Sequence, residues 1–118
     1  MLVSCGVDIV SVKRVERLLD KYGERFIRKV FPEGIDYCFK KRKGELAGCI
    51  AARFALKEAV IKAFASIGKR ISFKDIVICG GGSHLTLKVK NFEDLKLLTS
   101  ISHEKEYAVA IVNVLQKN

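Results

Sequence analysis

The chain has 118 residues, of which 49% are hydrophobic and 30% charged, so it fits one globular domain, 1–118, and not a disordered segment. No apolar run approaches the ~20 residues that span a bilayer, and Met1 to Val10 lacks the basic start of a signal peptide, which predicts a cytoplasmic protein. The net charge of +9 indicates an acidic partner, such as a nucleic acid, a membrane surface, a phosphorylated ligand or an acidic protein.

The first half of the chain predicts one strand followed by two helices. Leu2 to Val10 is rich in β-branched residues, which is typical of a strand. A helix is expected from about Val12 to Tyr22, with Ser11 as its N-cap and Gly23 as its C-terminal stop. A shorter helix is expected over roughly Glu24 to Val30.

The middle of the chain predicts one long, buried helix. A turn is expected around Pro32, a further helical turn from Asp36 to Lys41, and a solvated connection over Lys40 to Gly44. From about Glu45 to Phe64 the sequence is apolar almost all the way round a helix, so this helix should be buried.

The second half changes to a period of two, which is typical of strands. Asp75 to Cys79 and Leu85 to Val89 predict two strands joined by a loop at Gly80 to Gly82. Phe92 to Leu98 predicts a short helix, and Tyr107 to Val114 a strand apolar enough to be central. This order favours an α+β fold, in which a small antiparallel sheet packs with one long buried helix and shorter helices.

The four cysteines lie far apart and form no Cys-x-x-Cys pair. This spacing argues against a zinc site and against a disulfide framework, and it predicts buried free thiols. The residues concerned are Cys5, Cys38, Cys49 and Cys79.

Glu58 interrupts the apolar surface of the long helix. A lone carboxylate in such surroundings is costly unless it is paired or binds a cation. Lys62, one turn later, is one possible partner. The other is a metal ion held jointly with a second carboxylate. At helical spacing, Glu58 shares its face with Ala51, Phe54, Ala55, Ile61 and Ala65.

Asp8 is the candidate for that second carboxylate. It interrupts an apolar strand just before a helix, where an acid can also simply complement the helix macrodipole. If Asp8 and Glu58 meet, two hard oxygen ligands would suit Mg²⁺, which fills its other positions with water and phosphate oxygens. Arg53, Lys57 and Lys62 surround Glu58 in sequence, and cations beside a metal suit a pyrophosphate.

A row of basic residues follows one edge of the first helix and continues beyond it. Such a row is either a solvated face or a stripe that docks an acidic partner. Phe26 is either an apolar anchor for that partner or a core residue. The cations of the row are Arg14, Arg17, Lys21 and Arg25.

Three segments together resemble the 4'-phosphopantetheinyl transferases, and the resemblance covers essentially the whole chain. Gly6-Val7-Asp8-Ile9-Val10 with Arg14 is similar to the first signature of that family. The segment from Arg53 to Phe64 resembles the second signature, which has a Lys-Glu-Ala-x-x-Lys core. The segment from Ser100 to Ala110 resembles the entry to the family's C-terminal strand. The length and order match the short bacterial class.

The resemblance implies an activity. Such enzymes transfer 4'-phosphopantetheine from coenzyme A to a serine of apo acyl carrier protein, in fatty acid biosynthesis, and release adenosine 3',5'-bisphosphate. It also implies Mg²⁺ as cofactor, no nucleic-acid or membrane partner, and a homotrimer with sites at the subunit interfaces. The base that takes the serine proton stays open between Glu58 and a metal-bound water.

The resemblance further assigns roles to particular residues. Asp8 and Glu58 match the magnesium ligands, and Glu58 and Lys62 the catalytic groups. The expected coenzyme contacts are Arg53, Lys57, Lys62 and His103, and the expected carrier-docking residues are Arg14, Arg17, Lys21, Arg25, Phe26 and Arg28.

The chain departs from the family pattern in two places. The segment from Phe31 to Asp36 is about one residue short, which leaves the role of Glu33 open. The loop from Gly80 to His84 lacks the usual Gly-basic-Pro run, which leaves its contacts to the nucleotide open.

Two other functions compete with the transferase. A small basic RNA-binding module would explain the charge, but it would leave Glu58 unexplained, and no alternating basic and aromatic strand is present. A structural oligomer without activity would use Asp8 and Glu58 only for capping and ion pairing.

Overall fold

A computed structural model describes residues 1–40 and 43–117. Two residues of the predicted solvated connection, Lys41 and Arg42, lie outside the described residues. In chain order the elements are β1 (Leu2–Ser11), α1 (Val12–Tyr22), α2 (Glu24–Val30), α3 (Asp36–Phe39), α4 (Leu46–Ala65), β2 (Ile76–Cys79), β3 (Thr86–Val89), β4 (Leu95–His103) and β5 (Tyr107–Gln116).

The main sheet contains three antiparallel strands in the order β1-β5-β4, and β2 pairs with β3 in a separate antiparallel hairpin. The final strand is therefore central, as its apolar sequence predicts. Along β5 the buried residues Ala108, Ala110, Val112 and Val114 alternate with more exposed ones, because successive side chains of a strand point to opposite faces. The α+β fold class is confirmed.

Helix α4 lies against the inner face of this sheet and forms the centre of the core. Most of its residues are buried on every side, including Ile50, Leu56 and Phe64, which are fully enclosed. The prediction of a long buried helix is confirmed, with its start and end one residue later than expected.

The two helices that follow β1 begin and end where the sequence predicts. The Ser11 side chain accepts a hydrogen bond from the backbone N–H of Arg14, at 3.4 Å, and so caps α1. Gly23 separates α1 from α2 with a positive φ of 54°, a conformation that favours glycine.

The predicted helix over Phe92 to Leu98 is wrong, because a strand begins there. Leu95, Leu97 and Ile101 of β4 turn toward the core at a period of two. Leu98 is 48% exposed and lies on the opposite face, so the pair Leu97-Leu98 hides the alternation in the sequence.

The prediction for the cysteines is also wrong. Cys38 of α3 and Cys49 of α4 form a disulfide across a sequence separation of 11 residues. Cys5 and Cys79 are free but exposed. Sequence spacing missed the pair because the two cysteines lie on different helices that the fold brings side by side.

The outer face of the main sheet is apolar and exposed. Val7 and Ile9 of β1 are opposite Ile111 and Val109 of β5, and all four are more than one third exposed in the single chain. Monomeric proteins rarely leave such contiguous apolar faces in water. Among the described residues, none of the helices combines the length and the apolar character needed to cross a membrane.

Candidate active site

The close packing of β1 on α4 brings the two predicted carboxylates together. Gly6 of β1 lies so near the helix that a Cβ atom there would be 2.1 Å from the backbone oxygen of Ala59. Asp8, two residues on, therefore faces α4 from the same side of the strand. Glu58 precedes Ala59 directly, so the strand acid and the helix acid meet at this contact.

Lys62 pairs with Asp8 and not with Glu58. Its ammonium donates to the Asp8 carboxylate at 2.8 Å and to the backbone oxygen of Val7 at 3.3 Å. The hydrogen bond from Lys62 to Asp8 raises the pKa of Lys62, so the lysine stays a cation. The Glu58–Lys62 ion pair that helical spacing allows is not formed in the described part of the chain.

Glu58 is left with a carboxylate that is costly to ionise. Burial raises the pKa of Glu58, and the nearby charge of Asp8 raises it further, while Arg14 and Lys62 act in the opposite direction. Within residues 1–40 and 43–117, no hydrogen bond or ion pair engages this carboxylate. Because two acids share one corner and only one has a direct partner, a bound cation would relieve the cost.

A groove of about 590 Å³ opens beside Glu58 between α1, α2 and α4. Its rim carries three cations, Arg14, Arg25 and Lys29. Its apolar lining comprises Leu18, Tyr22, Phe26, Val30, Phe54 and Phe73.

The predicted docking residues divide into two groups. Arg14 lies over the Phe54 ring at 5.5 Å, while Lys21 and Arg25 lie over the Tyr22 ring at 5.3 and 5.5 Å, so these three border the groove. Arg17 and Arg28 are exposed but are not part of its lining.

Phe26 lines the groove as a buried residue and not as a protruding anchor. It is 8% exposed and packs edge-on against Phe54 with a centroid distance of 5.6 Å. Arg28 pairs weakly with Glu24 at 3.9 Å on the exposed side of α2.

Arg53 is buried and holds the glycine loop. Its guanidinium donates to the backbone oxygen of Gly80 and lies 5.0 Å from the centre of the Tyr37 ring. Burial lowers the pKa of Arg53. The Tyr37 ring in turn covers Gly81 so closely that a Cβ there would be 2.4 Å from it. Arg53 and Tyr37 therefore hold the loop in place from two sides.

Lys57 is fully enclosed, which was not expected for a coenzyme contact. Its ammonium donates to the backbone oxygens of Val30 and Phe73 and to the carboxylate of Glu33, at 2.7, 2.9 and 2.8 Å. These three acceptors use all three of its N–H donors. In one chain, then, the ammonium has no donor left for a phosphate.

His103 lies at the other end of α4 from Glu58. Its ring covers Gly48, where an added Cβ would be 2.8 Å from Nδ1. Ten residues of helix separate Gly48 from Glu58, which corresponds to about 15 Å at 1.5 Å per residue. His103 is therefore not part of the Asp8–Glu58 cluster within one protomer.

Sequence reasoning missed several groove residues. Phe54 lies four residues before Glu58 and so shares its helix face, but it was not predicted as a site residue. Tyr22 and Lys29 lie four residues after Leu18 and Arg25, so helical periodicity places them on the same faces of the predicted docking helices. Phe73 comes from a distant segment, and no local signal in the sequence indicates its position.

Comparisons with known proteins identify the family of the chain. A family model described as the 4'-phosphopantetheinyl transferase superfamily matches residues 4–112. A holo-[acyl-carrier-protein] synthase from Halothermothrix orenii is 38% identical over 122 residues, covering 95% of this chain and 96% of the relative. The synthase of the same name from Thermodesulfovibrio yellowstonii is 43% identical over 114 residues, covering 95% and 97%.

Solved structures show the same architecture. A holo-(acyl-carrier-protein) synthase from Bacillus anthracis in complex with CoA (3',5'-ADP) has a TM-score of 0.80 at 30% identity, covering 99% of both chains. The Helicobacter pylori synthase in complex with coenzyme A has a TM-score of 0.77 at 33% identity, covering 93% of this chain and 98% of that one. The chain therefore belongs to the 4'-phosphopantetheinyl transferase superfamily and is an enzyme of the holo-[acyl-carrier-protein] synthase type.

Proposed function

We propose that this protein transfers 4'-phosphopantetheine from coenzyme A to a serine of apo acyl carrier protein and releases adenosine 3',5'-bisphosphate. The observation that carries the proposal is the corner where Asp8, Glu58 and Lys62 meet, beside a groove rimmed by cations. The relatives described above support the same donor and acceptor, because they are holo-[acyl-carrier-protein] synthases and two of them were solved in complex with CoA (3',5'-ADP) or coenzyme A.

The donor set of this corner suits Mg²⁺. Asp8 and Glu58 supply two carboxylates, as many as this ion commonly takes from a protein, and burial together with the charge of Asp8 raises the pKa of Glu58, a shift that a bound cation would oppose. When bound, Mg²⁺ would neutralise charge on the pyrophosphate of coenzyme A. The described residues contain no group of three or more His, Cys, Asp or Glu side chains that could hold a metal ion, so the remaining ligands of Mg²⁺ would be water and substrate oxygens.

The side chains at the corner have separable tasks in this proposal. Lys62 supplies a fixed positive charge that is held in place by Asp8 and directed at the site of phosphoryl transfer. Glu58, when ionised, is the residue of this chain to which we assign the proton of the carrier serine. Phosphoryl transfer requires positioning and charge neutralisation more than covalent help from the protein, and these residues provide both.

We assign carrier docking to the groove between α1 and α2. Arg14, Arg25 and Lys29 offer positive charge to an acidic protein, and Phe54 and Tyr22 offer apolar contact between the cations. Arg17, Lys21 and Arg28 add to the positive field around the groove, which steers association in a salt-dependent way.

We assign the nucleotide half of coenzyme A to the N-terminal end of α4, away from Glu58. His103 is exposed there, and Arg53 holds the Gly80–Gly82 loop at its border. The distance along α4 between Gly48, which His103 covers, and Glu58 is too large for one small ligand to contact both His103 and Glu58. It suits a long ligand, or a site that is completed by a second copy of the chain.

We propose that this second copy belongs to a homotrimer. The exposed apolar face formed by Val7, Ile9, Val109 and Ile111 requires cover, and it borders Lys62 through a small cavity that Cys5, Gly6 and Ile111 also line. Light scattering should give the mass of three chains, and Ile9→Asp should shift the protein to a monomer with reduced transfer.

Mass spectrometry of the carrier tests the proposed function directly. The protein is mixed with coenzyme A, Mg²⁺ and apo acyl carrier protein, and the carrier should gain one phosphopantetheine. Asp8→Ala and Glu58→Ala should abolish the gain while the circular dichroism spectrum stays native. Asp94→Ala is the matched control, because this exposed acid lies away from the site. No mass gain with the wild-type protein, or near-normal turnover by both site variants, would contradict the proposal.

A further inference from the structure

We propose that Lys57, paired with Glu33, is a positioning residue that fixes the wall of the carrier groove and does not touch coenzyme A. This inference rests on the proposed function. It reassigns a residue of the second signature, and it gives Glu33 a task that the sequence left open.

The contacts of Lys57 tie three separate segments to α4. Val30 is the last residue of α2, Glu33 belongs to the turn after it, and Phe73 precedes the β2–β3 hairpin. The second oxygen of Glu33 accepts a hydrogen bond from the backbone N–H of Ile78 in β2, at 3.1 Å. One buried ion pair therefore joins α2, α4 and β2.

This pair lies directly behind the groove. Val30 and Phe73, whose backbone oxygens hold the Lys57 ammonium, are also two of the residues whose side chains line the groove. Phe31, between Val30 and the Glu33 turn, covers the ammonium at 5.2 Å from its ring centre. A change at Lys57 would therefore move the groove wall.

Within the described residues, the Lys57 ion pair forms no direct bond to Glu58 or Lys62. Lys62 pairs with Asp8 of β1, and Glu58 lines the groove from its α4 side, whereas the Lys57 side chain points to α2 and to the segment before the hairpin. Loss of the pair should therefore weaken carrier recognition while leaving coenzyme binding and the transfer step nearly intact. A direct phosphate contact by Lys57 predicts the reverse.

The experiment measures KM for apo carrier and KM for coenzyme A separately in the double variant Glu33→Gln/Lys57→Met. Removing both charges avoids leaving a buried ion without its partner, so this variant should fold. We expect the carrier KM to rise about tenfold, while the coenzyme KM and kcat at saturating carrier stay within about threefold of wild type. Lys117→Met is the matched control and should change neither KM, because this exposed lysine donates to the backbone oxygen of Glu93 and has no other bond within the described residues.

Three results would overturn the inference in a folded double variant: a raised coenzyme KM with an unchanged carrier KM, an equal rise in both, or no change in either. Should the double variant not fold, Glu33→Gln alone keeps one acceptor oxygen, and the same three results apply to it. The wild-type protein separates the two proposals. If it transfers nothing to the carrier, the proposed function fails first; if it transfers and the KM pattern is wrong, only the role of Lys57 fails.

Discussion

Replacing Gly6 with alanine should damage the active site without touching any residue in it. The missing Cβ of Gly6 would lie 2.1 Å from the Ala59 oxygen, 3.0 Å from the Ala59 carbonyl carbon and 3.1 Å from the Ala63 nitrogen. All three are backbone atoms of α4, so no side chain can turn away to make room.

The size of the displacement follows from these distances. Ordinary van der Waals contact begins near 3.4 Å, so β1 and α4 must separate by about 1 Å at this point. Overpacking of this kind costs about 1–3 kcal/mol, or roughly 5–10 °C in the melting temperature of a domain of this size. The same movement stretches the 2.8 Å bond from Lys62 to Asp8 beyond hydrogen-bonding distance.

Activity should therefore fall further than stability. A misplacement of 1 Å in a catalytic group can cost about 100-fold in rate. We expect Gly6→Ala to lose about that much transfer, and to need more Mg²⁺ for half-maximal rate because Asp8 and Glu58 no longer converge.

Thermal melting and a Mg²⁺ titration of the transfer rate measure both effects. Gly44→Ala is the matched control, because an added Cβ there meets nothing within 4 Å. If Gly6→Ala kept a transfer rate within threefold of wild type at the same Mg²⁺ requirement, the reasoning from backbone contact to site geometry would be refuted.

Three further predictions use other parts of the molecule. Arg14→Glu should weaken carrier binding, and the loss measured by titration should be greater at low salt than at high salt. Two hydrogen bonds from Ser72 hold the pKa of Asp75 below its usual value, so the stability they add is present above the unfolded pKa and is lost as pH falls through the folded one. The gap in melting temperature between wild type and Asp75→Asn should therefore close in acid. Reducing the Cys38–Cys49 disulfide should cost about 3 kcal/mol and lower the melting temperature by about 10 °C, which calorimetry with and without a dithiol reductant would show.

Local signals in the sequence were enough for most of the fold. Ser11 and Gly23 mark the ends of α1 with chemistry that acts within a few residues, and the predicted bounds of α1 and α2 agree with the structure. The strand β4 was missed because Leu98 faces outward onto the same surface as Val109 and Ile111. Two adjacent leucines break the alternation that indicates a strand, and the exposure of Leu98 is explained only by the apolar face to which it belongs.

The sequence predicted the proximity of Asp8 and Glu58 but not the contact that Lys62 makes. Asp8 and Glu58 do lie together, and the strand and helix that carry them are strongly patterned in the sequence. The partner of Lys62 was not predictable from helical spacing, because Asp8 is 54 residues away along the chain. Long-range pairs of this kind depend on which elements pack together, and that is decided by the core.

Lys57 and Lys62 show why a motif does not by itself fix the role of its members. Both lysines belong to the same signature on α4. From spacing alone, each would be predicted to place its ammonium near the substrate. Lys62 has a side chain 59% exposed and keeps its ammonium at the open corner, whereas the Lys57 side chain is 0% exposed and its donors are all in use. Burial lowers the pKa of Lys57, which remains compatible with charge because Glu33 stabilises the ammonium. The two lysines are proposed to differ in role because different neighbouring elements cover the two sides of the helix.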